Sequence, residues 1–233
     1  PGQKKEQQYG RKPKLRVPQR GDNLRLVELA CKNAQEEAQR MTDKDEKMAG
    51  VLMLLGKMLS MDPPERIESY DISHISGTDI VAGMVVFQKG KPSKSDYKHF
   101  KLENMDNQDD YSAMRQVLTR RFVHYKNGDK GFDETPDLLL IDGGITHASV
   151  ALDVLRSLEL DFPVFGMVKD ERHRTRALVT PDGMEIRIDN NQSVFSFIGT
   201  IQEEVHRFAI SFHRQQRSKR LKYSELDGIP GIG

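Results

Sequence analysis

The sequence predicts a mixed α/β sheet flanked by helices, with a helical extension at the N-terminus. Three observations carry that prediction. Helical periodicity fills residues 24–59. Two strand patterns, 67–74 and 79–88, then follow in immediate succession, with a third at 98–102. From residue 109 onward, helices alternate with apolar strands.

Residues 1–20 hold three prolines and seven Lys/Arg against one acid, with no apolar period, and read as a basic flexible arm. Asp22 or Asn23 is placed to cap a helix from about Leu24, whose Leu26, Leu29, Ala30 and Ala34 share a face. The lone Cys31 falls on this helix as a core-facing residue. A second helix is expected after Thr42, with Met48, Val51, Leu52, Leu55, Met58 and Leu59 on one stripe. Pro63-Pro64 stop it, because proline cannot donate a backbone hydrogen bond and disfavours helical geometry before it.

Strand 67–74 alternates apolar and polar residues, and a tight turn at Ser76-Gly77 leads to strand 79–88. "KGKPSKSD" is a polar connection to the strand at 98–102. Acids near residues 106–110 suit the start of a helix that places Met114, Val117, Leu118 and Phe122 on one face. "PDLLLIDGG" is an unbroken apolar run, the mark of a strand buried on both faces. "HASVALDVLRSL" is a helix, "FPVFGMV" another buried strand, and "RALVTPDGMEIRI" a hairpin turning at Pro181-Asp182-Gly183. The last helix, from about Ser193 to Lys219, carries Val194, Ile198, Ile201, Val205, Phe208 and Phe212 as an apolar seam. A right-handed crossover through the 109–125 helix sets strand 137–144 parallel to an earlier strand.

Composition excludes several function classes. No apolar run approaches the ~18 residues of a membrane span. The lysine-bearing N-terminus lacks an apolar secretory segment, and one cysteine excludes an internal disulfide and fits a reducing, cytoplasmic compartment. No glycine-rich dinucleotide fingerprint is present. The net charge of +1 hides a segregation, since residues 214–222 add five basic residues and no acid to the basic arm. Each run alone is equally a solvated end, but together they fit a polyanion partner.

Two aspartates stand out. Asp71 interrupts a half-buried strand, where a carboxylate is costly unless something positive meets it. Asp142 ends the most apolar strand and is followed by Gly143-Gly144. It is either a turn-former or a ligand at the carboxyl end of a sheet strand, where α/β proteins bind. If the two strands are neighbours, the carboxylates sit side by side and either share a proton or hold a cation. Oxygen ligands of this kind suit Mg²⁺ or Mn²⁺. His206, beside the helical seam, is a packing residue, a metal ligand or a proton carrier. Arg214, Arg217, Lys219 and Arg220 extend the same helix as a cationic arm able to meet a phosphodiester backbone.

Six stretches in order, "DISHISG", "DDYSAMRQVLTRRF", "PDLLLIDGG", "GMVKDERHRTRAL", "EEVHRFAISFHRQQRSK" and "GIPGIG", resemble the C-terminal endonuclease region of the UvrC family of bacterial nucleotide excision repair. The resemblance runs from about Leu15 to the end of the chain. It implies an RNase H-like endonuclease domain at 63–222, between a helical extension at 21–62 and the start of a truncated helix-hairpin-helix segment at 223–233. It further implies metal-dependent incision of damaged double-stranded DNA on the 5′ side of a lesion. UvrB would be a partner, met through parts of the protein absent from this fragment. The family's essential acids match Asp71, Asp110 and Asp142, and its essential histidine matches His206. From its context alone, Asp110 reads equally as a helix-start residue. Many relatives carry a lysine after the two glycines where this chain has Ile145-Thr146-His147, and an Asp-Glu pair where it has Glu203-Glu204. The alternative class is a DNA-binding module of the same fold without catalysis, which has no need of two costly carboxylates.

Overall fold

A computed structural model describes residues 18–74, 80–102 and 109–224, the side chains of His74 and of residues 212–224 excepted. The turn expected at Ser76-Gly77, the arm as far as residue 17, and "GIPGIG" lie outside the described residues. The chain forms two compact units, residues 1–47 and 48–233.

In the first unit the described chain is helical almost throughout, as the start of α1 (Gly21–Leu59). The break expected near Thr42 does not occur. Thr42 Oγ1 donates to the Ala38 carbonyl at 3.1 Å, and Gln39 Nε2 donates to Asp43 Oδ1 at 2.9 Å. The polar side chains around the expected break thus bond within a continuing helix. Leu26 and Leu29 are 63% and 54% exposed, and Cys31 is exposed as well, so the face read as core-directed has no core against it among the described residues.

The second unit is built on one sheet. Its strands are β1 (Arg66–His74), β2 (Ile80–Gln88), β3 (Lys91–Pro92), β4 (Lys98–Lys101), β5 (Leu138–Ile141), β6 (Val164–Lys169), β7 (Thr175–Val179) and β8 (Glu185–Arg187). The helices are α2 (Asp110–Lys126), α3 (Ile145–Ser157) and α4 (Gln192–Ser224). The sheet order is β3-β2-β1-β5-β6-β7-β8, with β4 also paired to β2. β1 runs antiparallel to β2 but parallel to β5, as the crossover through α2 requires, and β5 is parallel to β6. The short β3 lies inside what read as a polar connection. It pairs with Phe87 and Gln88 across a turn in which Lys89 and Gly90 take positive φ.

Alternation along the strands splits the core into two layers. Tyr70, Met84, Val86, Leu139 and Ile141 face Met114, Val117, Leu118 and Phe122 of α2 and Ala151 and Leu155 of α3. Ile67, Val85, Phe87, Leu138 and Leu140 face Val194, Ile198, Ile201 and Val205 of α4, together with Leu52, Leu55 and Leu59 of α1. β5 is apolar at every position because it is covered on both sides.

One buried polar network ties β1 to α2. Glu68 and Arg121 are 0% and 1% exposed, and Arg121 Nη2 and Nε donate to the two Glu68 oxygens at 2.7 and 3.1 Å. Tyr70 Oη donates to Glu68 at 2.6 Å, and Arg121 also donates to the Phe132 and Glu134 carbonyls at 2.7 and 2.9 Å. Removing the guanidinium would leave the buried Glu68 carboxylate with only the Tyr70 hydroxyl and the more distant Arg66 guanidinium, 3.5 Å away, to meet it. Arg121→Ala is therefore expected to destabilise the chain by about 3–5 kcal/mol in urea unfolding. A loss under ~1 kcal/mol would mean that Tyr70 and Arg66 suffice to meet the Glu68 charge.

Candidate active site

The site forms where the pairing of β1 with β5 ends, part-way along β1 and at the end of β5. Tyr70 is opposite Ile141, and the Asp142 N–H donates to the Tyr70 carbonyl at 2.8 Å. Asp71 and Asp142 therefore follow each other across adjacent strands. On its other side Asp71 is opposite Gly83 of β2. A Cβ on Gly83 would stand 3.1 Å from the Ala209 backbone, so a side chain there would push α4 away. The close approach brings His206, about one turn earlier on α4, over Asp71, with Nδ1 3.0 Å from Asp71 Oδ2.

Ligand atoms of Asp71, Asp142 and His206 all lie within 4.8 Å of one another. Three of the four residues singled out for the site are thus brought together. Asp110, the first residue of α2, is not part of that group. The capping role goes to its neighbour, since Asp109 accepts from the Ser112 N–H at 2.9 Å. Asp110 lies instead toward His147, whose basicity its charge raises. Arg214, Arg217, Lys219 and Arg220 continue α4, but their side chains are outside the described residues.

Sequence reasoning did not single out Lys169. Its Nζ lies 2.7 Å from Asp142 Oδ1 and donates to Oδ2 at 3.0 Å. Its signal was position: it ends β6, the strand parallel to β5, and so reaches the same carboxyl edge of the sheet.

The electrostatics favour a cation. Burial, and then the charge of Asp142, push the Asp71 carboxyl up to about 6, while His206 and Lys169 oppose the rise. Asp142 Oδ1 is buried and, despite the nearby ammonium, accepts no well-aligned hydrogen bond. Two carboxylates and an imidazole with an acceptor oxygen to spare fit a hard divalent ion that keeps some of its waters.

The raised pKa has a sign that can be tested. Folded Asp71 keeps its proton to about pH 6, whereas an unfolded aspartate loses it near pH ~4. The ionised carboxyl therefore destabilises the metal-free fold. This cost is absent below ~pH 4, grows between the two values and is complete above ~pH 6, reaching roughly 2–3 kcal/mol. Asp71→Asn should be more stable than the parent chain at pH 7.5 without metal, and the advantage should vanish at pH 4. Mn²⁺ should raise the melting temperature of the parent and not of the variant. Parallel pH–stability curves for the two proteins would contradict the assignment.

The profile of the UvrC RNAse H endonuclease domain matches residues 56–210, and that of the UvrC Ribonuclease H-like domain matches residues 4–41. UvrABC system protein C of Thermoanaerobacter pseudethanolicus is 45% identical over 241 residues, covering 97% of this chain and 39% of that protein. Its counterpart in Streptococcus uberis is 46% identical over 226 residues, covering 94% and 38%. The chain thus spans about two-fifths of the length of these relatives. The solved structure of Ciona intestinalis Endonuclease V with an inosine-containing DNA overlays at a TM-score of 0.35 and 12% identity, over 57% of this chain and 59% of that one, a likeness too slight to bear on the site. No helix among the described residues is long and apolar enough to cross a membrane. With its profile matched across the sheet and the residues around Asp71, Asp142 and His206, the chain belongs to the UvrC family and carries that family's RNase H endonuclease domain.

Proposed function

We propose that this chain is the divalent-metal-dependent nuclease portion of a UvrC protein, cutting damaged double-stranded DNA on the 5′ side of a lesion in concert with UvrB. The observation that carries the reading is the convergence of Asp71, Asp142 and His206 within 4.8 Å at the carboxyl edge of the sheet. A module that only bound DNA would gain nothing from two buried carboxylates facing a polyanion.

Asp71 and Asp142 would hold Mg²⁺ or Mn²⁺, with His206 beside them. The bound ion supplies charge neutralisation at the phosphate and an acidified water. The chain's own groups do the rest. Asp71, once ionised, accepts the Nδ1–H of His206 and fixes that tautomer. Nε2 then becomes the basic nitrogen on the 59%-exposed imidazole, free to carry a proton to or from the reacting oxygens. Lys169 neutralises Asp142 until the cation arrives, and is then available to donate to a phosphate oxygen. Asp110 would add a further carboxylate from the start of α2.

Asp71→Asn and Asp142→Asn keep the shape but lose the charge that holds the cation. Each should abolish 5′ incision in a reaction reconstituted with full-length UvrC, UvrB and damaged DNA, and His206→Ala should slow it by about 10²–10⁴-fold. Undiminished incision by Asp142→Asn with Mg²⁺ or Mn²⁺ present would sink the mechanism.

The basic end of α4 should supply phosphate contacts without sequence preference. Changing Arg214, Arg217 and Arg220 together to Ala should weaken DNA binding and flatten its dependence on salt, by up to ~0.9 in the log–log slope per lost phosphate contact. A triple variant with the parent's slope would remove this helix from the DNA path.

A further inference from the structure

We infer that Tyr111 and His147 form a stacking shelf for one unpaired nucleobase of the strand being cut, next to the reacting phosphate. The inference rests on the nuclease reading above and adds a substrate contact to it.

The two rings come from different helices. Tyr111 is in the first turn of α2 and His147 in the first turn of α3, and their centroids are 4.8 Å apart at 46°. Tyr111 is 46% exposed, while Ala113 and Met114 just after it fill the core. The ring is therefore not needed to bury α2, and an exposed aromatic beside a carboxylate cluster gains nothing from water.

His147 is seated by its own loop. Gly143 has a φ of +157°, and a Cβ there would stand 2.5 Å from His147 Nδ1. Only a glycine lets the imidazole lie down against the strand end that carries Asp142. Burial lowers the basicity of His147 while the charges of Asp110 and Asp142 raise it, which places the ring within electrostatic reach of both carboxylates.

The surroundings suit a nucleotide. The N-cap of α3 is Gly144, which has no side chain with which to cap the first N–H groups of the helix. The start of that helix can therefore face a phosphate oxygen, as helix N-termini do. A phosphate lying there, close to Asp142, leaves its base near Tyr111. Every base has a π face, so a ring shelf tolerates any sequence. A paired base in a duplex offers only its edges, so the occupant is an unpaired or unwound nucleotide. Sequence tolerance and a demand for unpaired bases both fit an enzyme whose cutting position is set by a lesion rather than by a sequence.

The test uses this chain and a DNA bubble carrying 2-aminopurine at successive positions, with Ca²⁺ present to neutralise the carboxylates. The parent chain should quench the probe at one or two adjacent positions. Tyr111→Ala should abolish that quenching and weaken binding by roughly 5- to 150-fold, the effect of losing one base–aromatic stack. Tyr111→Trp and Tyr111→Phe should restore both, which a hydrogen bond from the phenol would not allow. His147→Ala should lower the quenching, and matched melting temperatures would exclude unfolding as the cause. Quenching and affinity unchanged in Tyr111→Ala would overturn the shelf while leaving the nuclease reading intact. Weaker binding with quenching unchanged would also overturn it, by showing a contact other than stacking. A parent sequence that binds no DNA with Ca²⁺, Mg²⁺ or Mn²⁺, either alone or within full-length UvrC, would overturn the nuclease reading, and the shelf with it.

Discussion

The parallel pairing of β1 with β5 governs the rest of the structure, because its last pair is followed on both strands by a carboxylate, at a place where water is scarce. Asp71 is 6% exposed and the Asp142 side chain 3% exposed. Two such anions repel each other and each loses hydration, so the arrangement persists only with positive charge supplied from outside the pair. Lys169 supplies part of it and the His206 ring adds a polar contact, each from a different element. They act as placeholders: one ammonium on Asp142, one imidazole on Asp71, with Asp142 Oδ1 still lacking an aligned donor. The site is built for more positive charge than the described residues carry there.

Much of this was legible because burial and chemistry disagree openly in the sequence. Asp71 sits within a strand pattern, and Asp142 breaks the most apolar stretch just before two glycines. The sequence set β5 parallel to an earlier strand without deciding which one, and the register shows that strand to be β1. The seam on α4 was equally plain, since Val194, Ile198, Ile201 and Val205 are all fully buried.

What escaped the sequence has physical reasons. Lys169 looked like an ordinary charged residue at a strand end, and only the spatial order β5-β6 turns it toward Asp142. A second helix was expected after Thr42, but the side chains of Thr42 and Asp43 bond within one continuous helix, a choice that local composition does not decide. Asp109 and Asp110 are adjacent acids at a helix start, and nothing in their chemistry says which of them caps. The Gly83 contact with Ala209 joins residues far apart in the chain, and it is this contact that sets His206 over Asp71. Long-range closeness of this kind leaves no periodic trace.

Anomalous diffraction from crystals of this chain soaked in Mn²⁺ tests the central claim most directly. The account predicts a manganese peak in contact with Asp71 and Asp142, with His206 alongside and Lys169 drawn away from Asp142. Crystals that show no peak between the carboxylates at millimolar Mn²⁺, with the Lys169–Asp142 pair still closed, would contradict it.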